Sequence, residues 1–339
     1  MTKAITKEAL TGLVAELTAA GVRVIAPAKA ADGGTDYRAI FTLADAILGG
    51  EMPRRSLRAV FQPPTEAVFG WERKGTGIEL TPAAAASQPQ VVLGARPCDA
   101  AGVNVLDKVM GWDYKDDMWF ARREATTIIS LACAEMAPTC FCDKIGLSAD
   151  ATVGADVLLR PAGEGYTAEA LTAKGEAFVS GHARWFSDEP VTADPAPPSR
   201  EAFPLDKIEE WLEGHFEDAL WADLGLRCLG CGACTSICPT CHCFDIVDET
   251  DGTAAGTRRR NWDTCQTGLF TVHTSGHNPR ADQASRCRQR ILHKFEIYPK
   301  RFEAVLCTGC GRCVQACPAG VIVPEILDSI AQRANGGAA

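Results

Sequence analysis

The sequence predicts an α+β protein: an N-terminal mixed α/β domain over residues 1–186, a linker over 187–200, and a mainly helical, cysteine-rich domain over 201–335. Three observations carry that division. "QVVLGA" before Arg96 and "TTIISLAC" ending at Cys133 are continuous apolar runs, which read as strands buried on both faces. "SDEPVTADPAPPSR", Ser187 to Arg200, is proline-rich, polar and without periodicity, the composition of a linker. Beyond it, alternating strand patterns are scarce.

The elements follow in order. Leu10, Leu13, Val14 and Leu17 fall at i, i+3, i+4, i+7, with Thr6 as N-cap and Gly21 at C′, so the opening segment is a helix. "VRVIAPA" is a strand, and "QVVLGA" leads into a helix over "PCDAAGVNVLDKVM", with Pro97 near its start and Asp99 in its first turn. "ADVLLRPAGEGYTAEAL" folds as a hairpin around Gly163 and Gly165. After the linker, "LDKIEEWLEGHFEDALWADLG" has helical apolar spacing at Ile208, Trp211, Leu212, His215 and Phe216. The tail "ANGGAA" is expected to fray.

Composition narrows the functional class. With 339 residues, 46% hydrophobic and 23% charged, the chain is long enough for two cores and ordinary for a soluble globular protein. Charges at Lys3, Lys7, Glu8 and Glu16 interrupt any signal-peptide apolar run, and no window approaches the roughly 18 apolar residues of a membrane span. The expectation is therefore a soluble, cytoplasmic protein. Its sixteen cysteines are then metal ligands before they are disulfides, because the cytosol keeps thiols reduced. A net charge of −9 argues against nucleic acid as partner. The segment from Thr257 to Arg301 is nevertheless basic (Arg258, Arg259, Arg260, Arg280, Arg286, Arg288, Arg290, Lys294, Lys300, Arg301), either as a solvated face or as an offset to something anionic nearby.

Two cysteine blocks flank that segment. "CLGCGACTSICP" supplies Cys228, Cys231, Cys234 and Cys238-Pro239, and "CTGCGRCVQACP" supplies Cys307, Cys310, Cys313 and Cys317-Pro318. Each is C-x₂-C-x₂-C-x₃-C-P, in which three thiolates wrap one [4Fe–4S] cube and the fourth ligates the other cube in two-cluster ferredoxins. One cluster is thus expected on Cys228, Cys231, Cys234 and Cys317, and a second on Cys307, Cys310, Cys313 and Cys238. Glycines at 230, 232, 309 and 311 let the backbone approach the sulfides. The alternative is a zinc-stabilised scaffold, but a tetrahedral zinc site wants two C-x₂-C pairs, which this spacing matches poorly. The blocks mark a dicluster electron carrier, with helices expected in the insertion between them and some of its cations balancing the clusters or docking a partner.

Eight cysteines remain. Cys98, Cys133, Cys140 and Cys142 lie at the carboxyl ends of the two buried strands if these are parallel neighbours, where open α/β sheets place ligands. They are a candidate additional metal site, a third iron–sulfur centre; the alternatives are buried inert thiols or a redox pair, since Cys98 near a helix start can have a lowered pKa. Cys241, Cys243 and Cys265 come close to the first block and read either as an apolar shell or as a weaker cluster site, with Cys287 more remote. His273 and His277 sit in "HTSGHN", whose composition favours a loop and a structural role. No nucleotide fingerprint or catalytic triad stands out, so the chain itself is expected to bind no flavin or nicotinamide and to carry no catalytic residue.

The run "CLGCGACTSICPTCHCFDIVDE", then "RRRNWDTCQTG", "GHNPR" and "CTGCGRCVQACP", resembles the iron–sulfur beta subunit of cytosolic nickel–iron hydrogenases of the sulfhydrogenase type, and equally the corresponding iron–sulfur subunit of anaerobic sulfite reductases. "RPCDAAGVNVLDKV" and "CFC" extend the resemblance into the first domain. It implies an electron-transfer subunit without substrate chemistry of its own. Such a subunit passes electrons through two [4Fe–4S] clusters between a flavin subunit that handles NAD(P)H and a catalytic metalloenzyme subunit carrying a nickel–iron centre or sirohaem. The eight block cysteines carry over residue by residue. Counterparts of Cys98, Cys133, Cys140, Cys142, Cys241, Cys243 and Cys265 belong to the family pattern without an assigned role, and Cys287 lies outside it. The competing function is a stand-alone sulfur-compound or disulfide reductase working through the N-terminal cysteine group.

Overall fold

The chain is described by a computed structural model over residues 2–83 and 88–336. The two buried apolar runs are its central strands. In chain order the strands are β1 (Thr2–Thr6), β2 (Arg23–Lys29), β3 (Thr35–Ile40), β4 (Thr65–Lys74), β5 (Gly77–Pro82), β6 (Gln90–Ala95), β7 (Thr126–Leu131), β8 (Val157–Ala162), β9 (Gly165–Ala170), β10 (Phe244–Asp251) and β11 (Ala255–Trp262). Strands β2, β6, β7 and β8 run parallel at the centre of a seven-stranded sheet ordered β1-β9-β8-β7-β6-β2-β3, whose edges are antiparallel.

Period-two geometry divides each central strand between two cores. Val91, Leu93, Ile129 and Leu131 face α1 (Lys7–Ala19), which contributes Leu10, Leu13, Val14 and Leu17. Val92, Ala95 and Ile128 face the other way, onto Phe61 of α2 (Arg58–Phe61), Leu106 of α3 (Pro97–Met110) and Trp119 of α4 (Asp117–Ala125). Helix α5 (Ala173–Gly181) adds Phe178 and Val179 to the first core. Each such apolar side chain stabilises the fold by about 1.5–3 kcal/mol. The expected caps are present: the Thr6 hydroxyl accepts from the Ala9 amide at 3.1 Å, and Gly21 takes φ 75°.

The second half begins with α6 (Leu205–Gly214) and α7 (Ala219–Arg227). The sequence reads them as one periodic run, but the chain breaks at His215, and Asp218 starts the second helix by accepting from the Leu220 amide at 2.8 Å. Short α8 (Ala233–Ser236) follows, then α9 (Gln283–Leu292), a π-helical turn over His293–Ile297, α10 (Tyr298–Phe302), short α11 (Arg312–Ala316) and α12 (Val323–Ala334). Of the tail expected to fray, residues 337–339 lie outside the described residues. His273 and His277 do lie in a turn, closed by the His273 amide on the His277 carbonyl at 2.8 Å.

The insertion between the blocks corrects one expectation. It carries helix α9, but it opens with the hairpin β10–β11, and β11 pairs with β4 to make a four-stranded sheet ordered β10-β11-β4-β5. The hairpin is a polar ribbon whose outward residues break the apolar alternation that would have identified it. The halves also share a core: Phe141 and Ile145, from the loop after β7, pack with Ile208, Trp211, Leu292 and Phe295. The linker has no helix or strand of its own beyond Ser187, which bridges Ala4; Arg200 at its end is held by Asp143 at 2.8 Å.

Candidate metal centres

The two blocks fold alike. In the first, Gly230 and Gly232 take φ 65° and 71°, and Gly232 starts α8, which carries Cys234. In the second, Gly309 and Gly311 take φ 58° and 75°, and Gly311 starts α11, which carries Cys313. These left-handed turns need glycine and wrap each backbone around its thiols. Helices α8 and α11 pack against each other, so the blocks meet as a pseudo-symmetric pair.

That meeting exchanges their last cysteines. Cys317 of the second block lines one cavity with Cys228, Cys231 and Cys234 of the first, among Ile291, Val323 and Ile326. Cys238 of the first lies near the start of the second: its Sγ is 3.3 Å from Thr240 Oγ1 and 3.5 Å from Lys294 Nζ, both of which donate to Leu306 O, next to Cys307. Amides point at sulfur, from Gly309 to Cys307 at 3.4 Å and from Val321 to Cys317 at 3.2 Å. As free thiols Cys307 and Cys313 are pushed up by burial, to about 11 and about 12, so binding iron here must release protons. The donor set of the first cavity fits a [4Fe–4S] cube: the four block thiols, an apolar wall and a backbone N–H group on Cys317; the second block offers buried thiols and a backbone N–H group on Cys307. Among the described residues no three His, Cys, Asp or Glu side chains stand close enough to hold a single metal ion.

Two buried cations of the basic segment reach these thiols. Lys294, turned inward by the π-helical turn, donates to Leu306 O at 2.7 Å, Thr240 Oγ1 at 3.0 Å and Cys238 Sγ at 3.5 Å. Burial opposes its charge, yet Cys238 and Cys241 hold its pKa above the usual value. Arg290 donates to Cys241 Sγ at 3.4 Å and Cys234 O at 3.2 Å. A third, Arg58, lies 3.4 Å from the Trp262 ring centroid and donates to Ser236 O at 3.3 Å and to Cys241 O. Three other cations of the segment face elsewhere: Arg258 pairs with Asp248, Arg259 with Glu249, and Arg260 with Glu66 and Asp116.

Of the remaining cysteines, Cys98, Cys133, Cys140 and Cys142 line one cavity at the carboxyl ends of β6 and β7, as the sequence anticipates. Burial pushes Cys98 well up, which speaks against the alternative of a thiol activated by its helix start. Cys241 lies beside Cys238, and Cys243 beside Cys265, whose pKa its neighbour holds below the usual thiol value. Cys287, given no role by the sequence, lines the cavity of Cys228 and Cys317, where Gln283 Nε2 donates to Cys228 Sγ at 3.2 Å. Gln266 and Gln283 carry no cysteine-like signal and emerge only from the fold.

Residues 227–321 match the 4Fe-4S dicluster domain family. The chain is also 29% identical over 251 residues, 71% of its length and 73% of the relative's, to sulfhydrogenase 2 subunit beta of Pyrococcus furiosus. The chain is a homologue of that hydrogenase beta subunit. The resemblance to a hydrogenase beta subunit drawn from the cysteine blocks and the "CPTCHCF" run is thereby borne out. No solved structure matches. In this beta-subunit homologue the dicluster domain therefore has an iron–sulfur, electron-transferring role. No helix among the described residues is long and apolar enough to cross a membrane.

Proposed function

We propose that the chain relays electrons through two [4Fe–4S] clusters with crossed ligation, in a cytoplasmic complex between a flavin subunit handling NAD(P)H and a catalytic metalloenzyme subunit. Cys228, Cys231, Cys234 and Cys317 hold one cluster; Cys307, Cys310, Cys313 and Cys238 hold the other. The single observation that carries the reading is Cys317 sharing a cavity with the first three cysteines of the opposite block. When bound, the clusters supply one-electron redox chemistry. The chain's own residues exclude water with Ile291, Val323 and Ile326 and hold the sulfurs with N–H groups. Arg290 and Lys294 supply fixed positive charge inside the protein.

The test is anaerobic purification of the tagged chain with its native partners, followed by reduction and EPR. A flavoprotein and a nickel- or sirohaem-bearing subunit should co-purify, and the reduced sample should give the broadened signals of two neighbouring cubes. A sample without reducible iron, or an isolated chain that turns over sulfite or a disulfide by itself, would overturn the proposal.

A further inference from the structure

Four thiols outside the two blocks converge from three separate segments. Cys98 is in the first turn of α3, Cys133 follows β7, and Cys140 and Cys142 lie on the loop after it. All four are free and face one cavity, walled by Met52, Pro97, Met136 and Ala149. Cysteines used only as small apolar residues have no reason to meet across about 45 residues of sequence at the end of a parallel sheet, where ligands bind.

This cavity is fastened to the second block. Phe141, between Cys140 and Cys142, donates its amide to Gly309 O at 2.7 Å, and Cys140 Sγ lies 3.7 Å from Cys310 O. The approach leaves no room for side chains: a Cβ on Gly309 would fall 2.4 Å from Cys142 Cα, and one on Gly311 would fall 2.3 Å from Thr139 O. On the other side Asp99, next to Cys98, holds Arg312, next to Gly311, at 2.8 and 2.6 Å. An open cleft adjoins the cavity and shares Gly50, Met52, Arg96 and Glu135 with it.

We propose that Cys98, Cys133, Cys140 and Cys142 hold a third [4Fe–4S] centre, seated against the Cys307 block and forming the end of the relay that faces this cleft. Four cysteine thiolates are the ligand set of such a cube. Its place in a relay rests on the two-cluster reading; its ligation does not. Each electron the centre gains is one lost by the neighbouring cluster, and no bond or proton moves between them.

The test uses the full chain, reconstituted anaerobically with iron and sulfide. Wild type should carry about twelve irons, four for each cube, and Cys98→Ser and Cys140→Ser should each carry about eight while keeping the signals of the paired cubes. About eight irons in wild type, unchanged in both variants, would overturn the third centre and leave the two-cluster reading standing. About one zinc, lost in Cys98→Ser, or about two irons at the site would overturn it as well. About four irons in wild type, lost in both variants, would instead uphold this centre and sink the paired clusters. Should Cys98→Ser fail to fold, Cys140→Ser on its half-buried loop decides.

Discussion

Arg312 grips both carboxylate oxygens of Asp99, at 2.8 and 2.6 Å, with the two side chains 2% and 0% exposed. The pair joins the start of α3 to the second cysteine block, and Arg312 Nε also donates to Pro53 O at 2.8 Å. Asp99→Ala leaves a guanidinium buried without its counter-charge, which costs about 3–5 kcal/mol. Replacing both partners, Asp99→Leu with Arg312→Met, should recover most of that loss. Thermal unfolding of the three proteins checks it; a single variant as stable as wild type would show the pair to be structurally idle.

Crossed ligation makes a separable prediction. Cys238→Ser should perturb the cluster on Cys307, Cys310 and Cys313, although Cys238 belongs to the other block. Cys317→Ser should perturb the cluster on Cys228, Cys231 and Cys234. EPR of each variant, set beside Cys231→Ser and Cys310→Ser as references, reads which signal is altered. Cys238→Ser matching Cys231→Ser would mean that each block ligates its own cube.

The parts of this arrangement legible in the sequence are those with a local signal. Spacing reveals the eight block cysteines, and glycine at 230, 232, 309 and 311 reveals the turns that φ values of 58–75° require. Buried runs reveal β6 and β7, and from their carboxyl ends the meeting of Cys98 with Cys133 follows. Hairpin β10–β11 is hidden because its partner, β4, lies some 190 residues earlier and both strands are largely polar; no period-two contrast marks a ribbon without a buried face. The break at His215 is hidden because apolar spacing continues across it, with Asp218 as the one cue. Within the basic segment, only the inward turn at His293–Ile297 separates Lys294 from its surface neighbours.

That buried lysine should set a potential. Lys294→Met removes a positive charge 3.5 Å from Cys238 Sγ, while Thr240 Oγ1 still donates to Leu306 O at 2.8 Å, so the backbone acceptor keeps a partner. Reduction adds negative charge to the cluster, and without the cation the reduced state loses stabilisation. Spread over a cluster, the effect should be about 1–2 kcal/mol, lowering the potential by roughly 40–90 mV. A redox titration of the Cys307-block signal measures it. An unchanged or raised potential would contradict the role given to Lys294.

One buried carboxylate ties the hairpin to β4 beyond the backbone ladder. Glu66 on β4 is 6% exposed and accepts from Arg122 at 2.6 Å and from Arg260 Nε on β11 at 2.8 Å; Asp116 also pairs with Arg260. Glu66→Ala strips two largely buried guanidiniums of their shared partner, and since Asp116 still serves Arg260 the loss should fall near the lower end for a buried pair, about 3 kcal/mol. Its effect should be local. Strand β11 loses a side-chain tie to β4 while its backbone ladder remains, whereas Lys294 and Arg290, on the helical side of the insertion, keep their contacts with Cys238, Cys241 and Cys234. Limited proteolysis should therefore cut Glu66→Ala between Phe244 and Trp262 faster than wild type, at unchanged iron content. Loss of iron in step with cleavage would mean that the ribbon helps hold the clusters, rather than only bracing the two halves of the chain.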